Sequence, residues 1–234
     1  MAEPKRILKI LVACEESQAV TKELRWLGHE AYSCDILPPS GGHPEWHVQT
    51  DVLPLLSGNC SFSTADGTEH FIDGTWDMII GFPPCTYLTN ASAVRMRKNG
   101  EIVRERYEKA MEAREFFLSI LNAPCDHVCV ENPTPLKIVD LPQYNQAIQP
   151  YMFGHPYSKR TCLWLRGLPE LKPTNWLSQH EPYVNGGCKD AHGNYRRFQG
   201  RKERDPLTRA KTFAGIASAM AKQFTKYVLE RSDD

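Results

Sequence analysis

The sequence has no charge of either sign to spare. Its 234 residues carry 28 Lys plus Arg and 28 Asp plus Glu. No overall field draws the chain toward polyanions, so any contact with nucleic acid must come from local clusters. It also lacks an apolar run long enough to span a bilayer. The first such run, in "KRILKILVAC", is broken by Lys9, and the segment lacks the layout of a cleavable signal. A cytoplasmic chain with no membrane partner is expected. No internal repeat and no low-complexity tract interrupts it. The eight cysteines, at 14, 34, 60, 85, 125, 129, 162 and 188, follow no secreted-framework spacing, and several sit in apolar runs, which points to reduced thiols. Cys125, His127 and Cys129 in "CDHVC" have no second CxxC partner, so no metal site is expected.

What is present is an alternation of strand and helix patterns. "ILKILVA" (7–13) reads as a buried strand, and "SQAVTKELRWLG" (17–28) as a helix capped by Ser17 and stopped by Gly28. "EAYSCD" (30–35), "WDMIIGF" (76–82), "HVCVEN" (127–132) and "RTCLWLRG" (160–167) read as further strands. Apolar residues at helical spacing predict helices over 104–121 and 213–230. The alternation predicts one α/β domain over 1–234, its twisted, mostly parallel sheet covered by helices on both faces. Segments 56–75 and 168–212 are polar and weakly periodic, and read as long loops or small insertions.

Ligands of an open α/β sheet bind beyond the carboxyl ends of its strands. Just past the proposed strands stand Cys14, Glu15, Glu16 and Ser17, then Asp35, then Pro83, Pro84 and Cys85, then Glu131 and Asn132. In "GFPPC" two prolines fix two φ angles and remove two donors, so Cys85 cannot continue a strand on ordinary terms. A free cysteine is often merely a small buried hydrophobe, and an acid before Pro133 could simply face solvent. The gathering of all four groups along one edge favours chemistry. A thiolate adds to a conjugated carbon of an electron-poor ring, while a carboxyl group hydrogen-bonds the ring nitrogen and stabilises the charge that develops.

The order of "LVACEES", "YSCDIL", "TDVLPL", "DMIIGFPPCTYLTN", "VCVENPTPL", "FGHPYSKRTCLWL" and "FAGIASAMAKQ" resembles the cytosine-5 DNA methyltransferases over nearly the whole chain. "GFPPC" and "VENP" are the most specific pieces. The resemblance implies a three-layer Rossmann-like methyltransferase fold. It implies Cys85 as the nucleophile toward C6 of cytosine and Glu131 as the group engaging N3 and the exocyclic amine. It further implies S-adenosylmethionine as cofactor, with Asp35 on the ribose and Asp51 on the adenine. Cys14, Glu15, Ser17, Ile36, Val52 and Pro83 fall around that pocket by position, and Pro84 and Asn132 at the target base. The sequence departs from the family in three places. "ACEESQ" has no glycine where the family carries a Gly-rich turn. "YSKRT" replaces its Gln-x-Arg-x-Arg element, leaving both Lys159 and Arg160 as candidates for the supporting basic role. Gly215 is kept, but Ile216 stands where an Asn usually follows. The pattern is that of a small, divergent member, of a kind that suits a bacterial or bacteriophage genome.

Seven Lys/Arg against two acids fall between 196 and 211. Arg196, Arg197, Arg201 and Lys202 are the candidates for phosphate contact, with Tyr195 and Phe198 interleaved for stacking. A second basic stretch, "RMRKNGEIVRER" (95–106), follows Cys85 where the family has its mobile catalytic loop. The alternative is that both are solvated loops of a neutral protein. The 44 residues between Leu168 and Phe213 make a short recognition region, so cytosine-containing DNA is the expected partner with little sequence discrimination. A free deoxycytidine nucleotide, RNA, or a catalytically inactive binding protein are the alternatives. No motif speaks to oligomeric state.

Overall fold

Lys9–Ala13 forms β1, a strand apolar on both faces because helices cover both. Ile10 and Val12 point into one helical layer, Leu11 and Ala13 into the other. The computed structural model describes residues 6–89, 93–184, 186–189, 192, 194–198 and 206–231. Around β1 it builds a sheet from β2 (Glu30–Asp35), β3 (His47–Gln49), β4 (Met78–Gly81), β5 (Val128–Asn132), β6 (Gln146–Ile148) and β7 (Thr161–Arg166), in the order β3-β2-β1-β4-β5-β7-β6. The first five strands of that order are parallel. β7 runs antiparallel to both β5 and β6.

Helix α1 (Ala19–Trp26) and helix α3 (Ala214–Arg231) lie on one face with α2 (Arg104–Leu121) on the other. Val20 and Leu24 of α1 join Met220, Phe224 and Val228 of α3 over Ile10, Val12 and Ile80. Phe117 and Ile120 of α2 pack over Leu11, Ile79 and Val130, while Arg104–Glu108 and Glu105–Lys109 pairs at i,i+4 sit on its outer surface. Gly81 lets α2 approach the sheet, since a Cβ there would lie 2.7 Å from Ile120 Cγ2. This is the three-layer, mostly parallel Rossmann-like α/β architecture.

The structure adds elements that the sequence did not show. β3 and β6 are strands of three residues each, too short to show a period. Of the two readings of segment 56–75, long loop or small insertion, the second holds: Cys60–Ser63 and Glu69–Ile72 form an antiparallel hairpin that buries Phe62 and Ile72. Within 168–212, Gly186–Lys189 pairs antiparallel with Tyr195–Phe198, and Pro206–Ala210 is a short helix. Among the described residues no helix is long and apolar enough to cross a membrane.

Candidate active site

The strand order reverses direction at β1, which has β2 on one side and β4 on the other. Crevices open at such a switch point, beyond the carboxyl ends of the strands. Here the β1–α1 turn meets the Pro-Pro-Cys turn, and Phe82 N donates to Ala13 O at 2.9 Å.

The β1–α1 turn lacks glycine, yet Cys14 (φ 59) and Gln18 (φ 55) take the left-handed conformation that glycine usually supplies. Local bonds hold them there. Cys14 N and Glu15 N both donate to Cys34 O, at 2.7 and 3.2 Å. The fully buried Gln18 donates through Nε2 to His43 O (2.8 Å) and accepts through Oε1 from His43 N (3.1 Å). Ser17 does not cap α1. The capping position falls on Gln18, which makes no side-chain cap bond, and Glu15 takes over. Its carboxylate accepts from Val20 N (2.6 Å), Thr21 N (3.2 Å) and Thr21 Oγ1 (2.7 Å). Burial pushes Glu15 up to about 7 against the pull of those donors. Both Glu15 oxygens are thereby committed to the helix.

Asp35 ends β2 half-buried, with Oδ1 accepting Leu37 N at 2.9 Å. The next two residues are apolar and exposed, Ile36 at 73% and Leu37 at 42%. Asp51 is exposed and accepts Leu53 N at 3.0 Å, while Val52 beside it is buried in the core. Burial raises the Cys14 thiol, and the charges of Asp35 and Asp51, with neighbouring Cys34, raise it further. Cys14, Asp35 and Asp51 therefore share one electrostatic neighbourhood.

Across the switch point, Pro83 is buried, whereas Pro84 and Cys85 are exposed on the turn after β4. Glu131 and Asn132 end β5, the strand beside β4. Asn132 is 1% exposed, and its Nδ2 donates to Pro83 O at 2.8 Å while its buried Oδ1 meets no donor. Because β7 is reversed, its amino end lies at this edge, with Cys162 opposite Asn132 and Leu163 opposite Glu131. That brings in Lys159. Although Cys85 is exposed on its turn, the thiol sits deep enough for burial to raise its pKa. Glu131 raises it further, and Lys159 and Arg209 pull it down. Burial also lifts the Glu131 carboxyl above the ordinary range, with Lys159 and Thr161 pulling back. It holds Lys159 below an ordinary lysine, against the pull of Glu131 and Cys85. Cys85, Glu131 and Lys159 thus share one electrostatic neighbourhood.

Arg160 points elsewhere, donating to the Tyr144 hydroxyl at 2.9 Å. Arg196 and Arg197 lie on the strand Tyr195–Phe198, while Arg201 and Lys202 fall outside the described residues. Asp77, at the opposite edge, is structural: it accepts Lys9 N at 2.7 Å and pairs with Arg6. Gly215 is held by packing, since a Cβ there would lie 1.9 Å from Phe153 O. Among the described residues no group of three or more His, Cys, Asp or Glu gathers as a metal site. Sequence reasoning missed Thr161 beside Glu131. Arg209 falls in the basic run 196–211, but nothing in the sequence places it near Cys85.

No protein-family model matches the sequence, and no curated protein matches it. Among solved structures, one similar chain is an E. coli prophage protein described as a DNA modification methyltransferase. Identity is 12% and the TM-score 0.37, over 67% of this chain and 45% of that one. Another is the Entamoeba histolytica methyltransferase EhMeth, at 15% identity and TM-score 0.40, over 74% of this chain and 58% of that one. This chain therefore matches about half the length of each.

Proposed function

We propose that the chain is a methyltransferase that moves a methyl group from S-adenosylmethionine to C5 of cytosine in DNA through a covalent adduct at Cys85. The observation that carries this reading is the meeting of an exposed thiol, a half-buried carboxyl and a lysine where β4 and β5 end and the reversed β7 begins.

The residues beyond β1 and β2 fit an adenosyl group. Asp35 offers a carboxylate to a ribose diol, the exposed Ile36 and Leu37 offer an apolar face to adenine, and Asp51 offers an acceptor to its amine. When bound, S-adenosylmethionine supplies an electrophilic methyl group. The chain's own residues do the rest. The Cys85 thiolate, stabilised by the Lys159 charge, forms a bond from Sγ to C6. Glu131, whose protonated form burial favours, hydrogen-bonds N3 as negative charge enters the ring. Once C5 is methylated, it loses its proton to solvent; the C5–H electron pair re-forms the C5–C6 double bond as the C6–Sγ bond breaks and the thiolate leaves. A base in duplex DNA must leave the stack for Sγ to reach C6 from one face.

Mass spectrometry of nucleosides from DNA of cells making the protein tests this directly. 5-Methyldeoxycytidine should appear with the wild type and not with Cys85→Ala. A 5-fluorocytosine oligonucleotide should trap an adduct on the Cys85 peptide, because fluorine blocks the proton loss. Turnover by the alanine variant would sink the mechanism. The short recognition region favours a second reading, action on a free deoxycytidine nucleotide or RNA. Labelled methyl transfer to nucleotide, RNA, and single- and double-stranded DNA separates the two.

A further inference from the structure

Resting on the cytosine reading of the Cys85 site, the geometry points to Arg209 as the residue that anchors the phosphate carried by the target cytidine. The segment 206–213 runs as a strap over the edge where the proposed cofactor and substrate sides meet. At one point Lys159 Nζ donates to Arg209 O at 2.8 Å, and Nζ lies 5.9 Å from the Phe213 ring centroid. At another, Lys211 Nζ donates to Ser40 Oγ at 3.1 Å, and Ser40 N in turn donates to Glu16 O at 2.8 Å. The strap is therefore tethered both to the lysine beside Cys85 and to the loop that follows β2. Its only turn of helix, Pro206–Ala210, holds Arg209 in place between those tethers.

The charges there do not balance. Lys159 faces Glu131 and has a carbonyl for its ammonium. Arg209 is exposed and forms no ion pair with any described carboxylate, yet its charge reaches both Cys85 and Lys159. Among the described residues, two cations and one acid surround the thiol and leave one positive charge unmatched. A cytosine ring is neutral and does not supply the missing anion, whereas the phosphate on its sugar does. An arginine fork suits a phosphate, binding two oxygens at once. The shared chemistry is a phosphorylated cytidine, whether a phosphodiester within a strand or the monophosphate of a free nucleotide.

Alkylation of Cys85 by iodoacetamide, followed by peptide mass spectrometry, tests this without requiring methyl transfer. Arg209→Gln removes a cation near the thiol, so its alkylation profile should move to higher pH, and Arg209→Lys should restore most of the wild-type profile. Deoxycytidine monophosphate or a cytosine-containing oligonucleotide should slow wild-type alkylation at far lower concentration than deoxycytidine does. Arg209→Gln should weaken that phosphate-dependent protection by about ten- to a hundredfold, as for loss of a charged hydrogen bond, with deoxycytidine protection unchanged. Protection by the nucleotide alone assigns the phosphate to a free nucleotide, and protection by the oligonucleotide alone assigns it to a strand. Either result supports the anchor. Equal protection of wild type and Arg209→Gln by both phosphates, or an unmoved pH profile, overturns it. A chain that shows Arg209-dependent protection but transfers no methyl group keeps this inference and loses the reaction proposed above.

Discussion

The Asn132 side chain donates from Nδ2 to the carbonyl of Pro83 at 2.8 Å, tying the last residue of β5 to the turn that carries Cys85. The two prolines stiffen the turn, and this bond fixes its place relative to Glu131. Asn132→Ala should cost about 1–3 kcal/mol of stability, because it leaves a buried carbonyl unpaired. It should also lower kcat more than it raises KM, since a displaced thiol loses its line to the ring. Asn132→Asp should be worse at neutral pH, placing an acceptor against an acceptor, and should recover partly in acid as the carboxyl gains a proton. Chemical denaturation with steady-state kinetics checks both. An unchanged kcat in Asn132→Ala would show that the turn holds itself.

Glu131 is asked to hold a proton while charge builds on the ring. Burial raises its pKa, so the protonated form persists to higher pH than in an ordinary carboxyl group. Activity should then fall on the alkaline side as Glu131 ionises. Glu131→Gln keeps a neutral donor and should lose that limb of the pH–rate profile, with kcat down by about a hundredfold or more because the amide cannot share its proton with N3. A variant with normal kcat and only weaker substrate binding would mean that the residue positions substrate and takes no part in the chemistry.

Glu15 gives a stability prediction independent of the reaction. Its folded pKa is raised from 4.5 to about 7, so between those values the native state holds a proton that the unfolded chain has released. Its contribution is complete below pH 4.5 and is lost as pH rises through about 7, a loss on the order of 3 kcal/mol over the full window. Glu15→Gln should lack this decline. Denaturant titrations of both proteins across that window measure it, and parallel pH curves would refute the assignment.

The parts legible in the sequence are those with a long period. Helix 104–121 was readable because its apolar face and its i,i+4 charge pairs repeat over 18 residues. β1, β2, β4 and β5 were readable as apolar runs ending in polar groups. β3 and β6 were not, since three residues define no period. The hairpin after Cys60 carried a signal in the "DG" of its turn, where Gly67 has φ 88, but its polar strands hid it. The candidate site was legible where its residues follow a parallel strand, as for Asp35, Cys85 and Glu131. Lys159 reaches the same edge only because β7 is reversed, and an apolar strand reads the same in either direction. The Glu15 cap was hidden for another reason. Ser17 has the usual capping chemistry, whereas the left-handed turns at Cys14 and Gln18 swing an acid from farther back onto the helix end.

Those turns bear on the cofactor. A Gly-rich loop lets backbone approach a ligand closely, and here Cys14 and Gln18 achieve the turn while keeping their side chains. Affinity should therefore depend on the side chains beyond β2 more than on the loop. Asp35→Ala should weaken S-adenosylmethionine binding by roughly 1.5–3 kcal/mol through loss of a charged acceptor. Ile36→Ala should weaken it by roughly 1–2 kcal/mol, because Ile36 is 73% exposed and gains its burial only against the adenine. Neither change should alter DNA affinity, since both residues lie across the switch point from Cys85. Calorimetry on each variant separates the two effects. If Ile36→Ala binds normally while Asp35→Ala does not, the ribose contact stands and the adenine lies elsewhere. If both bind normally, the pocket beyond β1 and β2 is not the methyl-donor site, and the side chains of the glycine-free turn are the reason to look for it elsewhere along the edge.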